Sequence, residues 1–394
     1  MTRPFAYIAM IGLLMITFPA ISQAQGVITI DLSYKIVLNP ADGSRPMNDF
    51  NPVTDADIET AVAAMNVLSE AYYRGYRFRR VGPVIEVGGL GDTNGPSRWF
   101  NTNFFDPNNG SDWKEEMEDA ARSDPRYAWN PNAINLYLTN GFGGGVCSFP
   151  TGDHIIILGG RSAENGALQL HEIGHYFDLC HTQGCPCGAC DPSQPGQCNT
   201  MPGDDNISDT LPDLACWDQD DIASWSYGTN YASLSTSRQN LVDDVFFNIM
   251  SYHANRTRLT ERQLDRWADT ASFSREHVVS GRTIFVQGNG GGLMPIGSSF
   301  RPFRTVRAGI NTAGADGGDI VLIRPGAYDE TLTITKPVTL RATRRGPVVI
   351  GTTAAPSLSA SQSPRDVEAV LRKMPGISID DGRQRTDFIG GRKK

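Results

Sequence analysis

The chain has 394 residues, a formal net charge of −8 and 40% apolar residues. That length is enough for two domains with their own cores, and the composition is that of an ordinary globular protein. The acidic balance leaves nucleic acid off the expected partners.

Residues 1–24 stand apart from any fold. Arg3 gives a positive start, residues 5–18 are an apolar run, and Ser22-Gln23-Ala24 is a small-x-small cleavage signal. This is the pattern of a secretory signal peptide, and the run is short for a membrane anchor. The remainder holds no run of membrane-spanning length, so a soluble mature chain, secreted to the extracellular space or the periplasm, is expected.

Residues 27–160 alternate between strand and helix patterns. Residues 27–38 alternate apolar and polar, with Ile28, Ile30 and Leu32 on one face of a strand. Residues 55–73 carry Ile58, Val62, Met65 and Tyr72 at near-helical spacing, with Thr54 as the cap. Strands are expected at 76–87, 133–138 and 154–158, and an acidic helix at 111–122. The glycine-rich stretch 143–150 reads either as an exposed sheet edge, able to bind a peptide as an added strand, or as a flexible hairpin.

Next comes His171-Glu172-Ile173-Gly174-His175, in a stretch that reads as helix from Asn165 onward. Residues four apart share a helix face, so His171 and His175 project side by side and can reach one zinc ion at about 2.0–2.1 Å. Glu172 stands beside the metal position, where it can hold a water. This is the H-E-x-x-H arrangement of zinc proteases. His181 lies six residues beyond His175, off the helix face, so the chain must turn back after Phe177 for it to supply the third ligand.

Export decides how the seven cysteines are read. Cys185, Cys187, Cys190, Cys198 and Cys216 fall in a Pro/Gly/Asp-rich insert that buries little surface, so disulfides are expected to hold it. An odd number leaves a thiol over, with Cys147 and Cys180 as the candidates; the pairing stays open. Residues 241–247 form an apolar strand or short helix leading into Asn248-Ile249-Met250-Ser251-Tyr252. Residues 259–271 then read as a closing helix with Leu264 and Trp267 inward.

Near residue 281 the character changes. Residues 281–394 hold 17 Lys/Arg against 9 Asp/Glu, whereas residues 1–280 hold 18 against 34. Short apolar stretches at 284–286, 302–306, 320–328, 332–334 and 338–340, with Gly/Pro turns, resemble the opening coils of a right-handed parallel β-helix. From residue 352 the chain is Ser/Ala/Pro-rich and basic, the composition of a flexible tail. The organisation expected is therefore a signal peptide at 1–24, a first domain at 25–280, a β-helix-like segment at 281–352 and a tail at 353–394.

The extended histidine motif with a later Met-turn resembles the metzincin clan of zinc endopeptidases. Within the clan the wording is most similar to the pappalysin family, through His181-Thr182, the Cys-rich insert, residues 203–212, the Asn248-x-Met250-Ser251-Tyr252 turn and Leu259-Thr260-x-x-Gln263. The resemblance covers roughly residues 27–275 and implies an α+β protease domain, a twisted mixed sheet with helices. It also implies an apolar floor at Met250, an oxyanion partner in Tyr252, a substrate-binding edge at 143–150 and a calcium ion near Asp204, Asp205 and Asp209. Turn-forming Asp residues on a solvated loop are the alternative at those three positions. One departure stands out: where the clan has glycine, in a left-handed conformation, this chain has Asp178.

The expected activity is that of a zinc metalloendopeptidase, with Glu172 as general base and Tyr252 stabilising the oxyanion on a peptide substrate. The alternative is a secreted surface- or glycan-binding protein with structural zinc, in which the basic C-terminal region meets an acidic glycan or cell surface.

Overall fold

The computed structural model describes residues 27–351 except 73, 107, 109, 148–153, 185–201, 290–293 and 344–345. The expected signal peptide, four of the cysteines (185, 187, 190 and 198), the end of the glycine-rich stretch and the basic tail lie outside the described residues.

The strand β1 (Ile28–Val37) is central to the main sheet, and its alternation decides both layers. On one side it pairs in parallel with β4 (Tyr76–Arg80) and β5 (Ile85–Val87), and on the other with β6 (Ile134–Thr139). Then come β8 (Ile155–Gly159), parallel to β6, and the short edge strand β7 (Gly145–Val146), antiparallel to β8. A hairpin of β2 (Met47–Asn48) and β3 (Asn51–Pro52) lies outside this sheet.

Ile28, Ile30, Leu32, Tyr34 and Ile36 face a core shared with α1 (Asp55–Glu70) and α3 (Gly166–Tyr176). Val37 faces the opposite core, built with Tyr137, Ile155, Ile157, Trp99 and Met117 of α2 (Gly110–Ser123). The sheet is thus covered on both sides, as a mostly parallel sheet requires. Thr54 caps α1 through a reciprocal box with Asp57, as the sequence predicts.

Two expectations are corrected, and one that was open is resolved. The strand expected at 76–87 is two strands, because Gly82 takes φ 69° and Pro83 has no N–H for the ladder. Of the two readings of residues 241–247, strand or short helix, the helix holds: residues 241–246 are the end of α5 (Thr236–Phe246), which packs on α4 (Gln219–Tyr227) through Val242, Val245, Ile222 and Ala223. The strand expected at 332–334 is absent among the described residues. That segment runs along α7 (Val306–Thr312): Glu330 accepts the Val306 and Arg307 N–H groups at 2.7 and 2.9 Å, and Lys336 Nζ donates to the Asn311 carbonyl at 2.9 Å.

The C-terminal segment contains a parallel ladder of β9 (Thr283–Val286), β10 (Ile320–Ile323) and β12 (Thr339–Ala342), in which Thr283, Ile320 and Thr339 stand abreast. A second parallel pair joins β11 (Gly326–Tyr328) to β13 (Val348–Ile350). The segment shares the main core, since Phe285, Ile320 and Leu322 cluster with Trp267 and Ala271 of α6 (Glu261–Phe273). Polar ties reinforce this seam: Arg324 pairs with Asp265 at 2.9 Å, and Ser299 Oγ donates to Asp269 at 2.6 Å.

Candidate active site

The helix α3 enters the core directly from the last parallel strand. Asn165 caps it by accepting the Leu168 N–H at 3.0 Å. Gln169 anchors it to the sheet, accepting from Tyr34 Oη at 2.7 Å and donating to the Ser162 and Ala163 carbonyls. With its rotation fixed in this way, His171 and His175 project on one face, and both are buried.

The helix ends in a Schellman turn. The Leu179 N–H reaches the Gly174 carbonyl and the Asp178 N–H the His175 carbonyl, both at 2.9 Å. Asp178 holds the left-handed position with φ 71°, as its place in the motif predicts. Its carboxylate pairs with Arg266 of α6 at 2.7 Å, a compensation that glycine would lack. The reversal brings His181 back over the helix, where its Nε2 lies 3.0 Å from Nε2 of both His171 and His175. Three ligand nitrogens around one zinc ion stand about 3.3 Å apart, given Zn–N distances of about 2.0–2.1 Å.

The second nitrogens fix the tautomers. His171 Nδ1 donates to the Ile249 carbonyl and His175 Nδ1 to the Leu179 carbonyl, each at 2.7 Å, which leaves both Nε2 lone pairs facing inward. Burial pushes the imidazoles toward the neutral, ligating form. His171 and His181 lie well below their ordinary value, with neighbouring imidazoles adding to the effect, and His175 falls to about 4. Three buried neutral imidazoles suit zinc; they offer nothing to calcium or magnesium. Among the described residues this is the one cluster of three or more such groups with converging donor atoms. Asp204, Asp205 and Asp209 each accept a protein hydrogen bond, from Asn206 N, Gln263 Nε2 and Arg262 N respectively.

Glu172 is buried beside the imidazoles, under the edge strand β7. Burial raises its carboxyl to about 8, against the opposing pull of Arg256, Lys114 and a hydrogen bond from the Cys147 backbone. Met250 lies beneath the helix, fully buried against Gly174 and Leu179; a side chain at residue 174 would collide with the Met250 sulfur. Tyr252 is 38% exposed at the mouth of the site, its ring 4.5 Å from that of His181.

Two buried polar chains position the Met-turn, and sequence reasoning missed both. In the first, Asn248 Oδ1 accepts the Met250 N–H, Asn248 Nδ2 donates to Gln263 Oε1, and Gln263 Nε2 donates to Asp205, at 2.9, 2.9 and 3.0 Å. In the second, Asp213 accepts from Thr182 Oγ1 at 2.7 Å and from His253 Nε2 at 3.0 Å. These chains tie the loop after the third histidine and residues 203–214 to the Met-turn. Asp213 looked like any loop carboxylate, and only His253, immediately after Ser251-Tyr252 of the Met-turn, could have hinted at a partner. Arg256 was also missed. It reaches within 3.3 Å of His171 Nδ1 and donates to the Ser251 carbonyl at 3.1 Å.

Of the two cysteines expected to hold the leftover thiol, Cys147 keeps it, and burial pushes that thiol up. Cys180 does not: it is disulfide-bonded, as Cys216 also is.

No protein-family model matches the chain. No curated protein matches it either. Among solved structures it is similar to mirolysin in complex with compound 9, at 17% identity and a TM-score of 0.39, over 64% of this chain and 95% of that one. It is also similar to Tannerella forsythia mature mirolysin in complex with a cleaved peptide, at 16% identity and a TM-score of 0.37 over the same shares. Likeness at this level leaves the functional reading to rest on the site itself.

Proposed function

We propose that this chain is a zinc-dependent endopeptidase of the metzincin type, with the pappalysin family as its nearest pattern. The observation that carries the reading is the convergence of three buried imidazoles beside a buried Glu172 that no cation among the described residues holds in an ion pair. His171, His175 and His181 would hold the zinc, which when bound supplies Lewis-acid polarisation of the peptide carbonyl. Glu172 accepts the proton of the attacking water and returns it to the nitrogen of the leaving amine. Tyr252, at the mouth, donates its hydroxyl proton in a hydrogen bond to the developing oxyanion. The edge strand β7 offers main-chain groups to an extended peptide.

Export is part of the proposal. The sequence pattern of residues 1–24 supports it, as do the bonded sulfurs of Cys180 and Cys216. No helix among the described residues is long and apolar enough to cross a membrane. The ladder of β9, β10 and β12 supports reading residues 281–351 as the start of a parallel β-helix.

The test is hydrolysis of unfolded casein by the purified chain, with and without a zinc chelator, beside Glu172→Gln. Chelator-sensitive cleavage that the variant loses while keeping its zinc supports the proposal. A folded, zinc-loaded chain that cuts no protein or peptide sinks it.

A further inference from the structure

Arg256 is partly buried at the rim of the histidine cluster. Because His171 Nδ1 already donates to the Ile249 carbonyl, it has no lone pair to offer the guanidinium 3.3 Å away. The one protein acceptor Arg256 holds among the described residues is the Ser251 carbonyl. A guanidinium presents five N–H donors in a planar fork, so most of this fork is uncommitted. The arginines nearby differ: Arg258 pairs with Asp243 and Asp244, Arg266 with Asp178, and Arg324 with Asp265. No carboxylate among the described residues lies within ion-pair distance of Arg256. Its guanidinium lies on the Nδ1 side of His171, at the edge of the cluster, close enough to Glu172, His171, His181 and Tyr252 to act on each of them electrostatically. A partly buried cation without a counter-charge is unfavourable, and a forked guanidinium matches a carboxylate bidentately.

Resting on the endopeptidase reading, we infer that Arg256 is a specificity residue that receives a substrate carboxylate next to the scissile bond. The carboxylate comes from an Asp or Glu side chain or from the end of a short peptide. The same charge repels Lys and Arg at that subsite, so discrimination is both attractive and repulsive.

The experiment uses the zinc-loaded full chain and a set of quenched peptides differing only at the residues flanking the cut: acidic, amide or basic. Each is made with a free and an amidated C-terminus. Expected is a kcat/KM ratio of acidic over amide peptides of roughly tenfold or more. That ratio should collapse in Arg256→Ala, be partly kept in Arg256→Lys and invert toward basic peptides in Arg256→Glu. Loss of preference on amidation alone assigns the carboxylate to the chain end; retention assigns it to the side chain. A wild-type enzyme indifferent to flanking charge overturns the inference, as does an Arg256→Ala variant that loses all substrates in equal proportion, the mark of a mere clip on the Ser251 carbonyl. Binding of the same peptides to Glu172→Gln is measured alongside. If no peptide is cut at all, the endopeptidase reading fails, and a tighter acidic peptide that loses its advantage in Glu172→Gln/Arg256→Ala still upholds the role of Arg256 in binding; equal affinities sink it.

Discussion

Gly145 lies so close to Glu172 that a Cβ placed on it would stand 2.7 Å from the glutamate Cγ and 3.0 Å from its Oε1. The edge strand and the proposed base therefore share one small volume, and glycine there is a requirement of the base. Gly145→Ala is expected to push the carboxylate aside while leaving the three histidines in place. A displacement near 1 Å costs about a hundredfold in turnover. Casein hydrolysis should fall by that order with zinc content unchanged. Parallel loss of zinc would show that the strand supports the metal cluster instead.

Asp178 sets the turn that delivers His181. Its φ of 71° favours glycine, but the carboxylate gains the Arg266 pair. Asp178→Ala loses both the tolerance of that conformation and the pair, and is expected to destabilise the fold by about 1–2 kcal/mol. Asp178→Gly loses only the partly exposed pair and relieves the backbone, so its change should stay within about 0.5 kcal/mol. Urea denaturation of the zinc-loaded proteins measures both. A glycine variant as unstable as the alanine one would mean that the ion pair, rather than the backbone, holds the turn.

Much of this site was legible because its chemistry is local. His171, Glu172 and His175 sit on one helical face by spacing alone, and Thr54, Thr260 and Asn165 announce their helix starts through residues three positions on. The parts that were not legible depend on partners far apart in the chain. Asp213 meets His253 across 40 positions, and Asp205 meets Gln263 across 58. In a loop rich in carboxylates, nothing local separates an Asp that anchors the Met-turn from one that caps a turn. The same holds for the C-terminal segment, where alternating residues 332–334 looked like a strand until Glu330 and Lys336 were found tied to α7.

Lys35 bears on stability and its pH dependence. It is fully buried on β1, held by Ser33 Oγ at 2.8 Å and by Asn135 Oδ1, with no carboxylate partner among the described residues. Burial pushes its ammonium down to about 7 from the ordinary 10.5. Below pH 7 it is charged in both states and the full cost of burial is present. Between about 7 and 10.5 the unfolded chain still binds the proton while the folded chain has released it, so stability rises with pH. Lys35→Met removes this burden and is expected to stabilise the fold at pH 7, less the bonds to Ser33 and Asn135. Its advantage over wild type should shrink by about 1 kcal/mol or more between pH 7 and pH 9. An advantage independent of pH would mean the amine stays charged in the folded chain.

The pairing of Asp213 with Thr182 and His253 is a long-range brace next to the third ligand, because Thr182 follows His181 and its N–H also reaches the Met250 carbonyl at 3.2 Å. Asp213 is fully buried, so Asp213→Ala leaves the His253 imidazole without its acceptor in a dry interior and the Thr182 hydroxyl with only the longer bond to Gln183 Oε1 at 3.2 Å. The expected loss of stability is about 1–3 kcal/mol. Partners that orient metal ligands typically influence affinity by about 10–100-fold, so zinc should bind more weakly by that order. Asp213→Asn keeps one acceptor oxygen and is expected to recover part of both losses. Competition with a chromogenic zinc chelator reads the affinity directly. Unchanged zinc affinity in a less stable Asp213→Ala would confine this residue to holding residues 203–214 in place, with no bearing on His181.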